Sequence, residues 1–348
     1  MRYEHVNIES FGYELPPLVL SSSEIEEQLR PVYQRLKLPE GRLELMTGIR
    51  ARRLWHPGTM PSTAAAAAGE KALAAAGIHR EKIGALIMCS VSRDFLEPAT
   101  ATIVHNKLGL PENSLVFDIS NACLGILTGM ISLGNMIELG QIEAGLLVSG
   151  ENSRPLLEST IRSMLNDMSL TRQSIKPYFA SLTIGSGSVA VLMTSSSISK
   201  SPLKLKGGAS RAITRHNELC RGNLDKGMTD GSETLMNTDS EELMRRGVEA
   251  AAGTWPDFLK ETGWTPDGID CICTHQVGTA HKRLLFETLG LDPAKDFQTL
   301  DSFGNIGSAS CPLTAAMAIE SGRVFPGAKL ALLGIGSGIN CTMLGVGC

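Results

Sequence analysis

Three segments in the first half of the 348-residue chain recur in the second half at a nearly constant offset. Gly84-Ala-Leu-Ile-Met-Cys-Ser90 is matched by Gly268-Ile-Asp-Cys-Ile-Cys-Thr274. The loop opened by Asp118 is matched by that opened by Asp301, and Ala144-Gly-Leu-Leu-Val-Ser-Gly150 by Gly327-Ala-Lys-Leu-Ala-Leu-Leu-Gly334. Counted between the two aspartates the offset is 183 (301 − 118). An internal duplication constrains the fold more than any local signal, since both copies must form the same supersecondary unit. The repeated runs are continuously apolar and of strand length, as in a sheet covered on both faces. The chain therefore reads as α/β, with halves 1–195 and 196–348. A pseudo-twofold axis between them would set Cys123 against the loop holding Asn305, and bring the strand ends near Ser92 and His275 to the same place.

The segments between the repeats fill in the pattern. Residues 4–13 alternate as a strand, and Ser22-Ser-Glu-Ile-Glu carries a capping signal that opens a helix to about Leu36. Pro61 to Ala76 is an alanine-dense helix. A further helix ends near Leu108, residues 153–182 are helical and irregular, and Gly187 to Met193 is a strand. A polar, glycine- and serine-rich passage from about 194 to 240 connects to a helix over Ser240–Thr262.

Composition excludes several classes of function. A net charge of −4 gives no general attraction to nucleic acid or anionic membranes. No apolar run reaches the roughly 18–20 residues of a membrane span, and the polar start Met1-Arg-Tyr-Glu-His-Val-Asn7 does not read as a signal peptide. Cysteines lie mainly inside apolar runs (Cys89, Cys271, Cys273, Cys341), which fits reduced thiols. The expectation is a soluble cytoplasmic protein.

The chemistry concentrates at Cys123. A β-type run from Ser114 to Ile119 stops at Ser-Asn-Ala, and an apolar helix starts at Cys123 and runs through Leu124, Leu127, Ile131, Met136 and Ile137. At such a corner the unpaired N–H groups and the helix dipole lower a thiol pKa and favour the nucleophilic thiolate. The alternative is a small buried residue, as most cysteines are.

Cys123, Thr274-His275-Gln276 and Gly304-Asn305-Ile306-Gly307, in this order within a duplicated α/β chain, resemble the thiolase superfamily of condensing enzymes. More narrowly they resemble members of the β-ketoacyl synthase III type with a Cys-His-Asn triad. Thr47-Gly-Ile-Arg50 and Gly334-Ile-Gly-Ser-Gly-Ile-Asn340 extend the likeness over nearly the whole chain. The resemblance implies a thiolase fold: duplicated βαβαβαββ halves in a five-layered αβαβα architecture, nucleophile in the first half, His275 and Asn305 in the second. It implies acylation of Cys123 by a thioester, an oxyanion hole from the N–H of Cys123 and one from the Ser337–Gly338 turn, and enolate stabilisation by His275 and Asn305. No metal or redox cofactor is then required.

Glu97-Pro-Ala-Thr-Ala, 26 positions before the cysteine (123 − 97), resembles OleA-type enzymes of olefin biosynthesis, which join two fatty acyl-CoA molecules head to head. Leu170 to Tyr178, His216 to Cys220 and Leu313 to Met317 look like the same subfamily. The likeness implies that Glu97 reaches the active site of a partner subunit as the base that removes an α-proton. A homodimer, an acyl-CoA substrate and downstream lipid-pathway enzymes as partners follow from it. Without it Glu97 is an ordinary carboxylate at a helix N-terminus.

Two departures weaken a carrier-protein role: Ala280-His281-Lys282 stands where an arginine is usual, and Met46 where a basic residue is usual. Arg50, Arg52 and Arg53 are candidates for CoA phosphates or, equally, a solvated basic face. The alternatives are a decarboxylating β-ketoacyl synthase III, acyl transfer to oxygen or nitrogen, and a non-catalytic acyl-binding partner subunit. Cys271, Cys273 and His275 share a strand face, but one strand cannot surround a tetrahedral zinc. His216 reads as a loop histidine.

Overall fold

The computed structural model describes residues 1–222 and 235–348; part of the polar passage, 223–234, lies outside the described residues. Its strands are β1 (Val6–Glu14), β2 (Leu18–Ser21), β3 (Ala51–Leu54), β4 (Ile83–Met88), β5 (Leu115–Asp118), β6 (Ala144–Glu151) and β7 (Gly187–Ser195), followed by β8 (Lys204–Ala212), β9 (Cys220–Gly222), β10 (Met236–Thr238), β11 (Cys271–Thr274), β12 (Lys329–Gly336) and β13 (Asn340–Gly347). Nine of them form one sheet in the order β11-β12-β13-β8-β1-β7-β6-β4-β5. Read inward from each end, β4-β6-β7-β1 corresponds to β11-β12-β13-β8, which is the duplication expressed as topology. Where β5 lies on β4, the second half has a single parallel bridge, Ile272 to Asp296. Only Asn7–Lys204 pairs β1 with β8, so the sheet is two similar sheets joined at a seam.

Alternation along the strands generates the layers. In β6, Leu146 and Val148 pack towards the helices Pro61–Ala76 and Thr100–Leu108, while Leu147 points to the centre. In β12, Ala331 and Leu333 pack towards Ser240–Thr262 and Thr279–Leu289, while Leu330 and Leu332 point to the centre. The centre is filled by the helices Gly125–Glu138 and Ser310–Glu320, which share one cluster with both sets of inward side chains. The result is helix, sheet, helix, sheet, helix: the five layers of the thiolase fold. Each leucine or isoleucine fully withdrawn from water there contributes about 1.5–3 kcal/mol.

The alanine density of Pro61–Ala76 has a packing cause. A Cβ on Gly12 of β1 would lie 2.2 Å from the Ala68 carbonyl oxygen and 2.4 Å from the Ala72 nitrogen, so strand and helix backbones nearly touch. Only small side chains permit that approach.

Several local expectations change. The first helix is capped by Ser21, whose hydroxyl accepts the Glu24 N–H at 3.1 Å, and it breaks at Leu29 into Ser22–Gln28 and Arg30–Leu36. The passage read as a polar connection contains β8, a strand in the middle of the sheet. The helix read as starting at Cys123 begins as a 3-10 turn, Ala122–Leu124, and becomes α-helical only at Gly125.

Candidate active site

The strand before Cys123 ends in a strained corner. Ala122 has φ +46°, a left-handed backbone that a residue with a Cβ rarely adopts, at a cost on the order of 1–3 kcal/mol. The turn presents Cys123, half-buried, to a cavity of about 1670 Å³ whose wall also carries His275, Asn305 and Ser337. The second half repeats the device: a 3-10 turn at Gly307–Ala309 leads into Ser310–Glu320. The two turns abut, for the Ser308 hydroxyl accepts the Ile126 N–H at 2.9 Å. A Cβ on Gly125 would lie 2.7 Å from that hydroxyl and 2.6 Å from the Cys89 carbonyl oxygen, so this glycine is what lets the halves meet.

His275 continues β11 by donating its N–H to the Leu333 carbonyl at 2.9 Å. Its Nδ1 is buried with no hydrogen-bond partner among the described residues. Burial pushes its pKa down to about 3, with a smaller contribution from His281, so the imidazole is neutral at physiological pH. Gln276, quoted in the sequence motif without a role, fixes the following loop. Its Oε1 accepts the N–H groups of Thr299 at 3.0 Å and Leu300 at 2.8 Å, and its Nε2 donates to Phe297 O at 2.9 Å.

That loop delivers Asn305. Its backbone is tied to 183–185, donating to Thr183 O at 3.0 Å and accepting from Gly185 at 2.8 Å. Its Oδ1 accepts the Gly307 N–H at 2.9 Å, which leaves the amide NH₂ as the group available to donate. The glycines of β12 place the last component. Cβ atoms on Gly334 and Gly336 would lie 2.4 Å and 2.9 Å from Leu124 side-chain carbons, so the strand passes directly under the Cys123 turn. Asn340 Nδ2 donates to Asn121 Oδ1 at 3.3 Å, linking the turn after β12 to the residues just before Cys123. Ser337 lines the cavity; Gly338, at φ +81°, forms the turn but is not part of the wall.

The expected acidic thiol is not found. The Cys123 pKa is pushed up to about 12, first by burial, then by the charge of Glu151 and by Cys220, with a hydrogen bond from its own backbone acting the other way. With the α-helix opening only at Gly125, the dipole is outweighed by burial and a neighbouring carboxylate. Cys123 and His275 therefore rest as neutral thiol and neutral imidazole.

The burial of His275 and His281 has a consequence for stability. Both pKa values are lowered, to about 3 and about 4, with burial the leading cause in each. Between about pH 6.5 and 4 the unfolded chain binds protons at these histidines that the folded chain does not, so stability falls as pH falls. We expect the urea midpoint to drop over this range and the drop to be smaller in His275→Asn. An unchanged pH slope in that variant would show that His275 is not buried in its neutral form.

The remaining candidates divide. Glu97 is exposed on the loop between β4 and Thr100–Leu108 and does not reach the cavity of its own chain, although Leu96 does. None of the three arginines lines the cavity. Arg52 is fully buried, donating to Ser22 Oγ at 3.1 Å and Leu20 O at 3.4 Å. Arg53 donates to Pro16 O at 3.1 Å and lies over the Phe303 ring, and Arg50 pairs with Asp301 at 3.1 Å. His216 is half-buried and accepts from Arg215 Nε at 3.2 Å, away from the cavity wall. Among the described residues no group of three or more His, Cys, Asp or Glu side chains is placed to hold a metal. Two further groups line the cavity: His281, which the sequence marks only as standing where an arginine is usual, and the buried Glu151, which closes β6 and carries no motif in the sequence.

Residues 45–176 match the thiolase N-terminal domain, and residues 259–346 the 3-oxoacyl-(acyl-carrier-protein) synthase III C terminal domain. An acyl-CoA:acyl-CoA alkyltransferase of Shewanella oneidensis is 41% identical, covering 99% of this chain and 99% of that protein. The chain belongs to the acyl-CoA:acyl-CoA alkyltransferase family. Among thiolase-fold structures, cerulenin-bound OleA of Xanthomonas campestris superposes with a TM-score of 0.94 at 38% identity, covering 100% of this chain and 98% of that one. That protein has also been solved with substitutions at a histidine, at a cysteine, and at a glutamate 26 positions before the cysteine. A 3-oxoacyl-(acyl carrier protein) synthase III of Xanthomonas oryzae is as near in shape, with a TM-score of 0.93 at 38% identity over 100% of both chains. Like its relatives the alkyltransferase-family chain is an acyl-transferring condensing enzyme. Among its described residues no helix is long and apolar enough to cross a membrane.

Proposed function

We propose that this protein joins two fatty acyl-CoA molecules by a non-decarboxylative Claisen condensation. The reading rests on one observation above all: Cys123, a neutral His275 and the free amide of Asn305 share one cavity wall. The cavity, about 1670 Å³, is larger than the ~300–1,000 Å³ of an ordinary small-molecule site and has room for two acyl chains. Full-length kinship with acyl-CoA:acyl-CoA alkyltransferases supports the choice of substrates.

Cys123 Sγ attacks the thioester carbonyl of the first acyl-CoA as its proton passes to His275. The N–H of Cys123 and one from the Ser337–Gly338 turn hold the oxyanion. CoA leaves as the thiol with the proton from His275, and the acyl group remains on sulfur. A base then removes the α-proton of the second acyl-CoA, and His275 and Asn305 donate to the enolate oxygen. The α-carbon attacks the acyl-cysteine, forming the carbon–carbon bond and returning the cysteine. Two acyl-CoA give one β-ketoacyl-CoA and one free CoA, and hydrolysis then gives the β-keto acid. No metal or redox cofactor takes part.

The base is Glu97 of the partner subunit in a homodimer. Glu97 stands 26 positions before Cys123, the separation of the glutamate and cysteine substituted in the Xanthomonas structures. Around it Val91, Phe95 and Leu96 are exposed, and beside it β5 is a free sheet edge with Leu115 exposed. Such an apolar loop next to an open strand suits a second copy of the same chain. Against a carrier-protein partner, Lys282, in the stretch where an arginine is usual, is held by Asp296 at 2.8 Å.

The test is incubation with a long-chain acyl-CoA alone. Sustained CoA release with appearance of a ketone, from decarboxylation of the β-keto acid, is expected. Release that stops near one equivalent and resumes only with a malonyl donor would make the protein a decarboxylating synthase instead.

A further inference from the structure

The two N–H groups assigned to the oxyanion come from turns built alike. Three non-glycine residues among those described have a left-handed backbone. One, Lys37, closes a helix. The others are Ala122 at φ +46°, immediately before Cys123, and Ile339 at φ +56°, immediately after Gly338. Each turn is thus held in a backbone that its side chain disfavours, and needs contacts outside itself to stay there. An asparagine flanks each strained residue on the side away from its donor: Asn121 before Ala122, and Asn340 after Ile339. These two side chains meet. Asn340 Nδ2 donates to Asn121 Oδ1 at 3.3 Å, across a separation of 219 residues and from one half of the chain to the other. Asn121 Nδ2 in turn donates to Thr128 Oγ1 at 2.8 Å, and its carbonyl accepts the Leu124 N–H at 2.9 Å. A Cβ on Gly338 would lie 3.4 Å from Asn340 Nδ2, so this amide packs on the turn of the second donor. Neither asparagine lines the cavity, whereas Ala122, Cys123, Gly336 and Ser337 do, so the pair stands behind the wall.

Resting on the condensing reaction above, we infer that Asn121 and Asn340 are positioning residues: their hydrogen bond is the strut that sets the two oxyanion donors, one from each half, at a fixed separation. The donors stabilise the transition state only when both point at one oxygen, and small misplacements cost rate steeply. The strands alone leave this separation open. β12 and β13 pair as far as Gly336 and Asn340, and residues 337–339 project beyond that last pair, while 122–124 form a 3-10 turn outside any strand. Leu124 packs under Gly334 and Gly336 and brings the turns together, but apolar packing has no direction. The amide pair supplies the direction.

The experiment compares two reactions of Cys123 in the full-length protein, each followed by mass. Acylation by a long-chain acyl-CoA, read over the first turnover by rapid quench, develops an oxyanion; alkylation by iodoacetamide displaces iodide and develops none. In Asn340→Ala the maximal acylation rate should fall about 10- to 100-fold. The half-saturating acyl-CoA concentration and the alkylation rate should both stay within about twofold of wild type. The urea midpoint should stay within about 0.3 M. Acylation at the wild-type rate would overturn the proposal. So would alkylation slowed by the same factor as acylation, the mark of a displaced cysteine. Asn121→Ala should show the same split between the two reactions. The double variant should acylate no more slowly than Asn121→Ala, since the strut can be broken only once; effects that multiply would mean two separate contributions and no strut. A wild type that is acylated beside an equally fast Asn340→Ala sinks this inference alone, whereas a wild type that takes no acyl group sinks the condensing reading with it.

Discussion

Cys123→Ala should lose condensation by on the order of 10⁴-fold or more, and should no longer gain the mass of an acyl group when mixed with acyl-CoA. The expectation follows from how the turn is built. Ala122 takes a strained left-handed backbone and Gly125 admits two backbones at close quarters, all to present one half-buried sulfur to the cavity. Removing that sulfur leaves the oxyanion N–H groups, His275 and Asn305 with nothing to act upon. Since Cys123 lies at the cavity wall and not in the core, the unfolding midpoint should hardly change, within about 0.5 kcal/mol. A variant that folds, binds acyl-CoA and still releases CoA with turnover would remove the acyl-cysteine from the mechanism. Retained acylation at another position, with Cys220 the first to examine since it shares the cavity, would move the nucleophile instead.

The sequence made some of this legible and hid the rest for identifiable reasons. The helices Pro61–Ala76 and Ser240–Thr262 have the expected bounds because each is closed by a glycine in a left-handed C-cap, Gly77 and Gly263. β4, β6 and β12 are readable as apolar runs since both their faces are covered, and the repeat alone sets Cys123 opposite the loop of Asn305. β8 was not readable. Lys204 to Ala212 alternates polar residues with two glycines, and Gly208 is required where a Cβ would lie 2.0 Å from the Met343 carbonyl oxygen. A glycine-rich polar strand looks like a linker until its partners are known. Arg52 resembled its neighbours Arg50 and Arg53 in sequence, and only the pairing of β2 with β3 buries it beside Ser22. The ionisation of Cys123 was misjudged for a related reason: a helix dipole is a local property visible in sequence, whereas burial and the charge of Glu151 arrive from elsewhere in the fold.

The largest effect after loss of the nucleophile is expected at Glu97. Its loop is anchored firmly on both sides: Asp118 caps the helix after it by accepting the N–H groups of Thr100 at 2.9 Å and Ala101 at 2.8 Å, and Asp94 before it accepts the Ser62 N–H at 2.8 Å. Between these anchors Glu97 stands exposed, off the cavity wall of its chain and next to the exposed side chains of Phe95 and Leu96. If it is the α-proton base, Glu97→Ala should lower condensation by about 10²–10⁴-fold, the usual range for a removed general base. The same variant should still form the acyl-enzyme, because in the proposed mechanism acylation of Cys123 uses only His275 and the oxyanion donors of its own chain. The two half-reactions thus separate: acyl mass on Cys123 at wild-type speed, followed by arrest. Mixing Glu97→Ala with Cys123→Ala gives a sharper result. In a homodimer that shares sites, a heterodimer of the two variants has one site with both an intact cysteine and an intact glutamate from its neighbour, so activity should return to a measurable fraction of wild type. No recovery, with subunit exchange shown by mass, would place Glu97 in its own subunit's site or outside the reaction. A Glu97→Ala enzyme that condenses at the full rate would show that no carboxylate base is needed, which is the behaviour of a carbanion made by loss of carbon dioxide.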